Sequence, residues 1–78
     1  MDKHILLKNI GKLCQNFRVS IQETQLTMSL DVNYSVESIS SFENGRNNNM
    51  VLLLWYLSNG LDIDDLCNLL KGELKNDN

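Results

Sequence analysis

The stretch 35-SVESISSFENGR-46 decides the fold. Ser35 offers a side-chain oxygen that can accept from the backbone N–H groups opening a helix. Gly45 stands where the chain must take a left-handed turn to end one. Between them, Ile39 and Phe42 fall on one face, while Glu37, Ser41 and Asn44 fall on the other at i, i+4, i+7. This is a short amphipathic helix through Phe42 or Glu43, closed at both ends. The stretch 35–46 carries two glutamates and a single arginine, Arg46.

Upstream, Asn33-Tyr34 reads as a turn, because Asn tolerates positive φ. Thr24 reads as the N-cap of a second short helix. Within it "LTMSLDV" (26–32) alternates apolar and polar residues as a strand would. No other segment alternates and could pair with it, so the expectation is helix. Met28 and Val32 then share the inner face, and Leu26 and Leu30 point outward. Ile5, Ile10, Leu13 and Phe17, with Leu6 and Cys14 beside them, predict a first helix over 4–18. Downstream, Asn47-Asn48-Asn49 is a polar loop. A fourth helix spans 50–58 and stops near Asn59-Gly60. "LDIDDL" (61–66) opens a fifth, with Asp62 at the N-cap and Asp65 three residues on as an acidic capping box. The expectation is an all-α domain of five helices over 1–72 and a disordered tail over 73–78.

Composition narrows the chemistry. The chain has 78 residues, 42% of them hydrophobic, and a formal net charge of −3. That is enough for one small core. The charge lacks the broad basic footprint usual for nucleic-acid binders, although charge can be placed unevenly. Cys14 and Cys67 are the two cysteines and His4 is the one histidine. Neither a zinc-ligand spacing nor a disulfide framework results. No signal peptide is visible, and the longest apolar run, Met50 to Leu57, is too short to span a bilayer. The expectation is a cytoplasmic protein with free thiols and no membrane contact. Asp62, Asp64 and Asp65 read as helix-opening residues rather than metal ligands. Both cysteines sit on apolar-periodic segments without a motif-placed histidine, so they read as inert thiols. No enzyme chemistry and no cofactor follow.

Taken in order, "FR" at 17–18, "TQ" at 24–25, Met28 and Val32, "S…IS.FENGR" over 35–46 and "GLDIDDL" at 60–66 resemble the phage-repressor-like (Cro/Xre-type) helix-turn-helix family. The resemblance covers about residues 6–66. It implies a lambda-repressor-like DNA-binding domain with a central helix-turn-helix, whose third helix enters the major groove of a double-stranded DNA operator. It implies a transcription regulator, of phage or mobile-element type, that binds as a homodimer. It maps base reading to Val36, Glu37 and Ser41, and backbone contacts to Gln25, Ser35, Asn44 and Arg46. Chemically, Glu37 can accept from cytosine N4 and Val36 can pack on a thymine methyl. Ser38 and Ser41 can donate or accept. Gln25, with the N–H groups opening helix two, can hold a phosphate. The family pairs the arginine matched by Arg18 with the glutamate matched by Glu43, which implies a structural ion pair.

The chain departs from the family pattern. Asn33 and Tyr34 replace a small-residue turn, and the 46–60 segment is shorter than typical. Leu26 and Leu30 stand where polar residues are usual. Besides Arg46, no Lys or Arg lies between 19 and 70. "MVLLLWYL" (50–57) is more apolar than one core-facing stripe requires. If Met50, Leu53, Leu54 and Leu57 face the core, then Leu52, Trp55 and Tyr56 point partly away. They are then covered by helices one and five or form a homodimer contact. Two functional readings follow: a sequence-specific DNA-binding regulator, or an acidic protein of the same fold that binds another helix-turn-helix regulator through Leu26 and Leu30, as an anti-repressor or modulator.

Overall fold

The computed structural model describes the backbone of residues 2–75 and the side chains of 2–72. Helix α1, Lys3–Ser20, opens on Asp2, whose carboxylate accepts from the N–H groups of His4 at 2.9 Å and Ile5 at 3.3 Å. A carboxylate there also complements the positive end of the helix dipole. The chain leaves α1 through Gln22 in a left-handed conformation, φ 62°. Helix α2, Gln25–Val32, is capped by Thr24, whose hydroxyl accepts from Thr27 N–H at 3.1 Å. Thr27 completes the box by accepting from Thr24 N–H at 3.1 Å. The alternating stretch 26–32 is therefore helical, and among the described residues every regular element is a helix.

Asn33 takes the left-handed turn, φ 59° and ψ 37°, between α2 and the next helix. Helix α3, Val36–Glu43, is capped by Ser35 Oγ, which accepts from Ser38 N–H at 3.1 Å. At its other end Arg46 N–H donates to Ser41 O at 2.9 Å and Gly45 N–H to Phe42 O at 3.0 Å. Those two bonds form the Schellman closure that a glycine at φ 75° permits. Helix α4, Met50–Ser58, starts at Asn49, whose side-chain oxygen accepts from Val51 N–H at 2.9 Å. Helix α5, Ile63–Lys75, opens where Asp62 accepts from Asp64 N–H at 2.8 Å. It continues through Lys75, into the segment expected to be a disordered tail; 76–78 lie outside the described residues.

The core gathers Cys14, Met28, Ile39, Phe42, Leu52, Trp55, Tyr56 and Leu61, drawn from α1 to α4 and the turn before α5. This corrects the expected register of α4. Leu52 and Tyr56 are fully buried and Trp55 is 8% exposed, whereas Met50 and Leu54 are 63% and 54% exposed. Leu53 and Leu57 are half-buried. The aromatic pair goes inward because its polar tips find partners there. Tyr56 stacks on Phe42, with ring centroids 5.7 Å apart, and its hydroxyl donates to Glu43 at 2.6 Å. Trp55 Nε1 donates to Asp31 Oδ2 at 3.3 Å. Large aromatics with satisfied polar atoms bury more area than Met or Leu. Leu52, Trp55 and Tyr56 are thus core residues and form no partner surface.

Two glycines set the close packing of α1 against α3. A Cβ on Gly11 would lie 2.7 Å from Phe42 O and from Glu43 C. A Cβ on Gly45 would lie 2.6 Å from Lys8 Cα. The last turn of α3 therefore rests backbone against backbone on α1. None of the described helices is long and apolar enough to cross a membrane.

Candidate functional site

The inner side of α3 is anchored by one carboxylate. Glu43 Oε2 accepts from Arg18 Nε at 2.8 Å and from Tyr56 OH at 2.6 Å. Its Oε1 accepts from Arg18 Nη2 at 3.1 Å and from Gln25 Nε2 at 2.9 Å. Arg18 also donates from Nη1 to Glu23 O at 2.7 Å, closing the turn between α1 and α2. A bidentate guanidinium is suited to such a site, since its planar fork matches the carboxylate. Four helices thus meet at Glu43.

Burial pushes the Glu43 carboxyl upward, but the hydrogen bonds from Arg18, Tyr56 and Gln25 outweigh it and hold it below the usual carboxylate range. The bond to Glu43 pushes the Arg18 guanidinium up, against the opposing effect of burial. Burial, and then the Glu43 bond, raise the Tyr56 phenol. Cys14 is pushed up to about 12, first by burial and then by the charge of Glu43. A thiol held neutral in this way is inert at ordinary pH.

The outer side of α3 presents Glu37, exposed, with Val36, Ser38 and Ser41 half-buried along it. Ser35, Asn44 and Arg46 are exposed at its two ends. The polar tips are unequally available. Ser35 Oγ and Ser38 Oγ lie 2.9 Å apart, joined within the cap. Asn44 Nδ2 turns back to donate to Ser40 O at 2.8 Å. Gln25, expected to offer its amide to a phosphate, instead directs Nε2 to Glu43. The lone pair of Oε1 left over by Arg18 recruits it, a preference only the folded geometry reveals. The N–H groups opening α2 are what remains for an anion at that end.

Leu26 and Leu30 lie outward on α2, 62% and 77% exposed. On α4 the exposed apolar side chains are Met50, Val51 and Leu54.

One feature of the site lies outside the residues expected to form it. A groove of about 340 Å³ runs between α1 and the end of α3, lined by Lys8, Asn9, Lys12, Gln15, Glu43 and Asn44. The local signal is the i, i+4 spacing of Lys8 and Lys12 on the polar side of α1. What brings them beside Asn44 is the contact of Gly45 with Lys8. Among the described residues, no cluster of His, Cys, Asp or Glu could hold a metal ion. No protein-family model, curated protein or solved structure matches the chain.

Proposed function

We propose that the protein is a sequence-specific DNA-binding transcriptional regulator of phage or mobile-element type. In this reading it is a lambda-repressor-like domain, α2 and α3 form the helix-turn-helix, and α3 reads the major groove. The observation that carries the reading is the way α3 is held. Its inner side is tied to three other helices through Glu43, its ends are closed by Ser35 and Gly45, and Val36, Glu37 and Ser41 remain along its outer side. Rigid placement of a few side chains is what base readout requires. Glu37 accepts from a cytosine N4, Val36 packs on a thymine methyl, and Ser41 donates or accepts. The N–H groups opening α2 and α3 take backbone phosphates. Arg46 and Asn44 bind the backbone beside them, Asn44 by turning its amide outward.

The protein acts in the cytoplasm as a homodimer on a two-fold symmetric operator, with half-sites about one helical turn apart. The exposed Met50, Val51 and Leu54 of α4, rather than the buried Leu52, Trp55 and Tyr56, are the apolar residues available to such a contact. Occupancy of the operator then blocks or recruits polymerase.

Selection from a random duplex pool tests this. Wild type should enrich a palindromic site, and Glu37→Gln should change the preferred base at one position in each half-site, worth about 1–3 kcal/mol. Recovery of the same site from both proteins removes Glu37 from base reading. No enrichment from either overturns the reading.

Leu26 and Leu30 favour a second reading. An apolar pair so exposed, on a chain of net charge −3, suits a partner with a basic surface, such as another helix-turn-helix regulator. Leu26→Lys with Leu30→Lys abolishes a protein complex in that case. For a DNA binder the same pair of changes leaves specific binding intact or strengthens it, because it adds cations near the backbone.

A further inference from the structure

We infer that the groove between α1 and the end of α3 seats a backbone phosphate of the duplex, with Lys8 and Lys12 as its cationic contacts. This rests on the DNA-binding reading and supplies what that reading lacks. A protein with net charge −3 and only Arg46 for a cation between 19 and 70 gains little from counterion release on α2 and α3 alone. Arg18 adds nothing outward, since its guanidinium is spent on Glu43 and on Glu23 O.

The fold brings the cations from elsewhere. Gly45 lies so close to Lys8 that a Cβ would reach the Lys8 backbone, which fixes α1 against the exit of α3. Lys12 follows one turn later on the same side of α1. Both lysines are exposed and line the groove with Gln15 and Asn44. Asn44, which lines the groove, follows Glu37 by two turns and so joins the groove to the helix proposed to read bases. A lysine pair flanked by side-chain amides suits a phosphate oxygen, which takes point charges and N–H donors together.

Glu43 also lines this groove, but the lysines are not there to neutralise it. Each of its oxygens already takes two donors, and its side chain is 1% exposed. Its charge is shared with Arg18, which leaves the lysine charges directed to solvent or to a ligand. Lys8 and Lys12 add two cations per subunit to Arg46.

The test is the salt dependence of binding to a fluorescently labelled, mixed-sequence duplex, followed by anisotropy. Non-specific affinity comes almost wholly from phosphate contacts, so the operator need not be known. Lys8→Gln with Lys12→Gln should lower the slope of log K against log salt by about two per subunit. Affinity at about 50 mM salt should fall by about 10²-fold. Lys8→Arg with Lys12→Arg should restore both, because the charges return. Melting of each variant at the wild-type temperature separates this from a folding effect. An unchanged slope in the glutamine variant, with DNA still bound, overturns the phosphate seat and leaves the DNA reading standing. A wild-type protein with no salt-dependent affinity for duplex DNA overturns that reading and the seat together.

Discussion

Replacing Glu43 by Gln removes one charge and almost nothing of the side chain's shape. The amide keeps one oxygen, so one of the two paired sites becomes a donor facing donors. If the NH₂ lies at the Oε2 position it meets Arg18 Nε–H, and only Tyr56 can turn its hydroxyl to accept. At the Oε1 position it meets Arg18 Nη2–H, and only Gln25 can flip. Either way an arginine N–H loses its acceptor and the guanidinium loses its counter-charge. Breaking a buried pair from one side costs about 3–5 kcal/mol. Arg18 retains its bond to Glu23 O and a side chain 9% exposed, which places the cost near the lower end, about 3 kcal/mol. A domain of 78 residues holds about 4–12 kcal/mol in total. With an unfolding entropy of about 0.16 kcal/mol/K for that length, the melting temperature should fall by about 20 °C. Thermal and urea unfolding followed by circular dichroism measure it. The folded carboxyl titrates below its unfolded value of about 4.3, so its contribution is full above that pH and is lost as pH falls toward the folded value. The gap between wild type and variant should therefore narrow in acid. A variant that melts with the wild type at neutral pH, or a gap that widens in acid, refutes the account.

Gly11→Ala should destabilise despite the better helix propensity of alanine: its Cβ meets backbone atoms of Phe42 and Glu43 that cannot swing away, costing about 1–3 kcal/mol in urea unfolding. Gln22→Gly should stabilise by about 0.5–1 kcal/mol, because a left-handed residue other than glycine is strained by about 1–2 kcal/mol, partly offset by the entropy glycine loses on folding; a lower urea midpoint contradicts it. Alkylation at about pH 8 followed by mass spectrometry should label half-buried Cys67 first and Cys14 only as fast as the chain unfolds; equal labelling rates would show that Cys14 is reached without unfolding.

Helix ends were legible because each is marked by local chemistry. Thr24, Ser35 and Asp62 cap helices as their side chains predict, and Asn33 and Gly45 turn the chain where positive φ is needed. The left-handed Gln22 was not legible, since glutamine has no special tolerance for that region. The register of α4 was hidden for a different reason. Met50 to Leu57 holds no charged or amide residue to mark an outer face. The choice fell to bonds that Trp55 and Tyr56 make with Asp31 and Glu43, far away in the chain. Gln25 was placed correctly at the opening of α2, but its amide follows an acceptor contributed by α3. The nearness of Lys8 and Lys12 to Asn44 was not legible, since no local pattern announces it; it follows from the tertiary contact of Gly45 with the Lys8 backbone.

Trp55 is the chain's one tryptophan, and its place gives the molecule an internal optical probe. The indole is 8% exposed, stands edge-on to Tyr56 with ring centroids 5.3 Å apart, and donates to Asp31 at the end of α2. Tyr56 in turn bonds the Glu43 carboxylate at the end of α3. Emission from this single fluorophore therefore follows α2 through its N–H and α3 through its neighbour's hydroxyl. Excitation near 295 nm, which passes over the tyrosines, reads the junction of those helices without any label. A shift in that emission on adding duplex DNA or a protein partner would mark which end of the junction has moved, with Asp31→Asn and Tyr56→Phe assigning the signal to one side or the other.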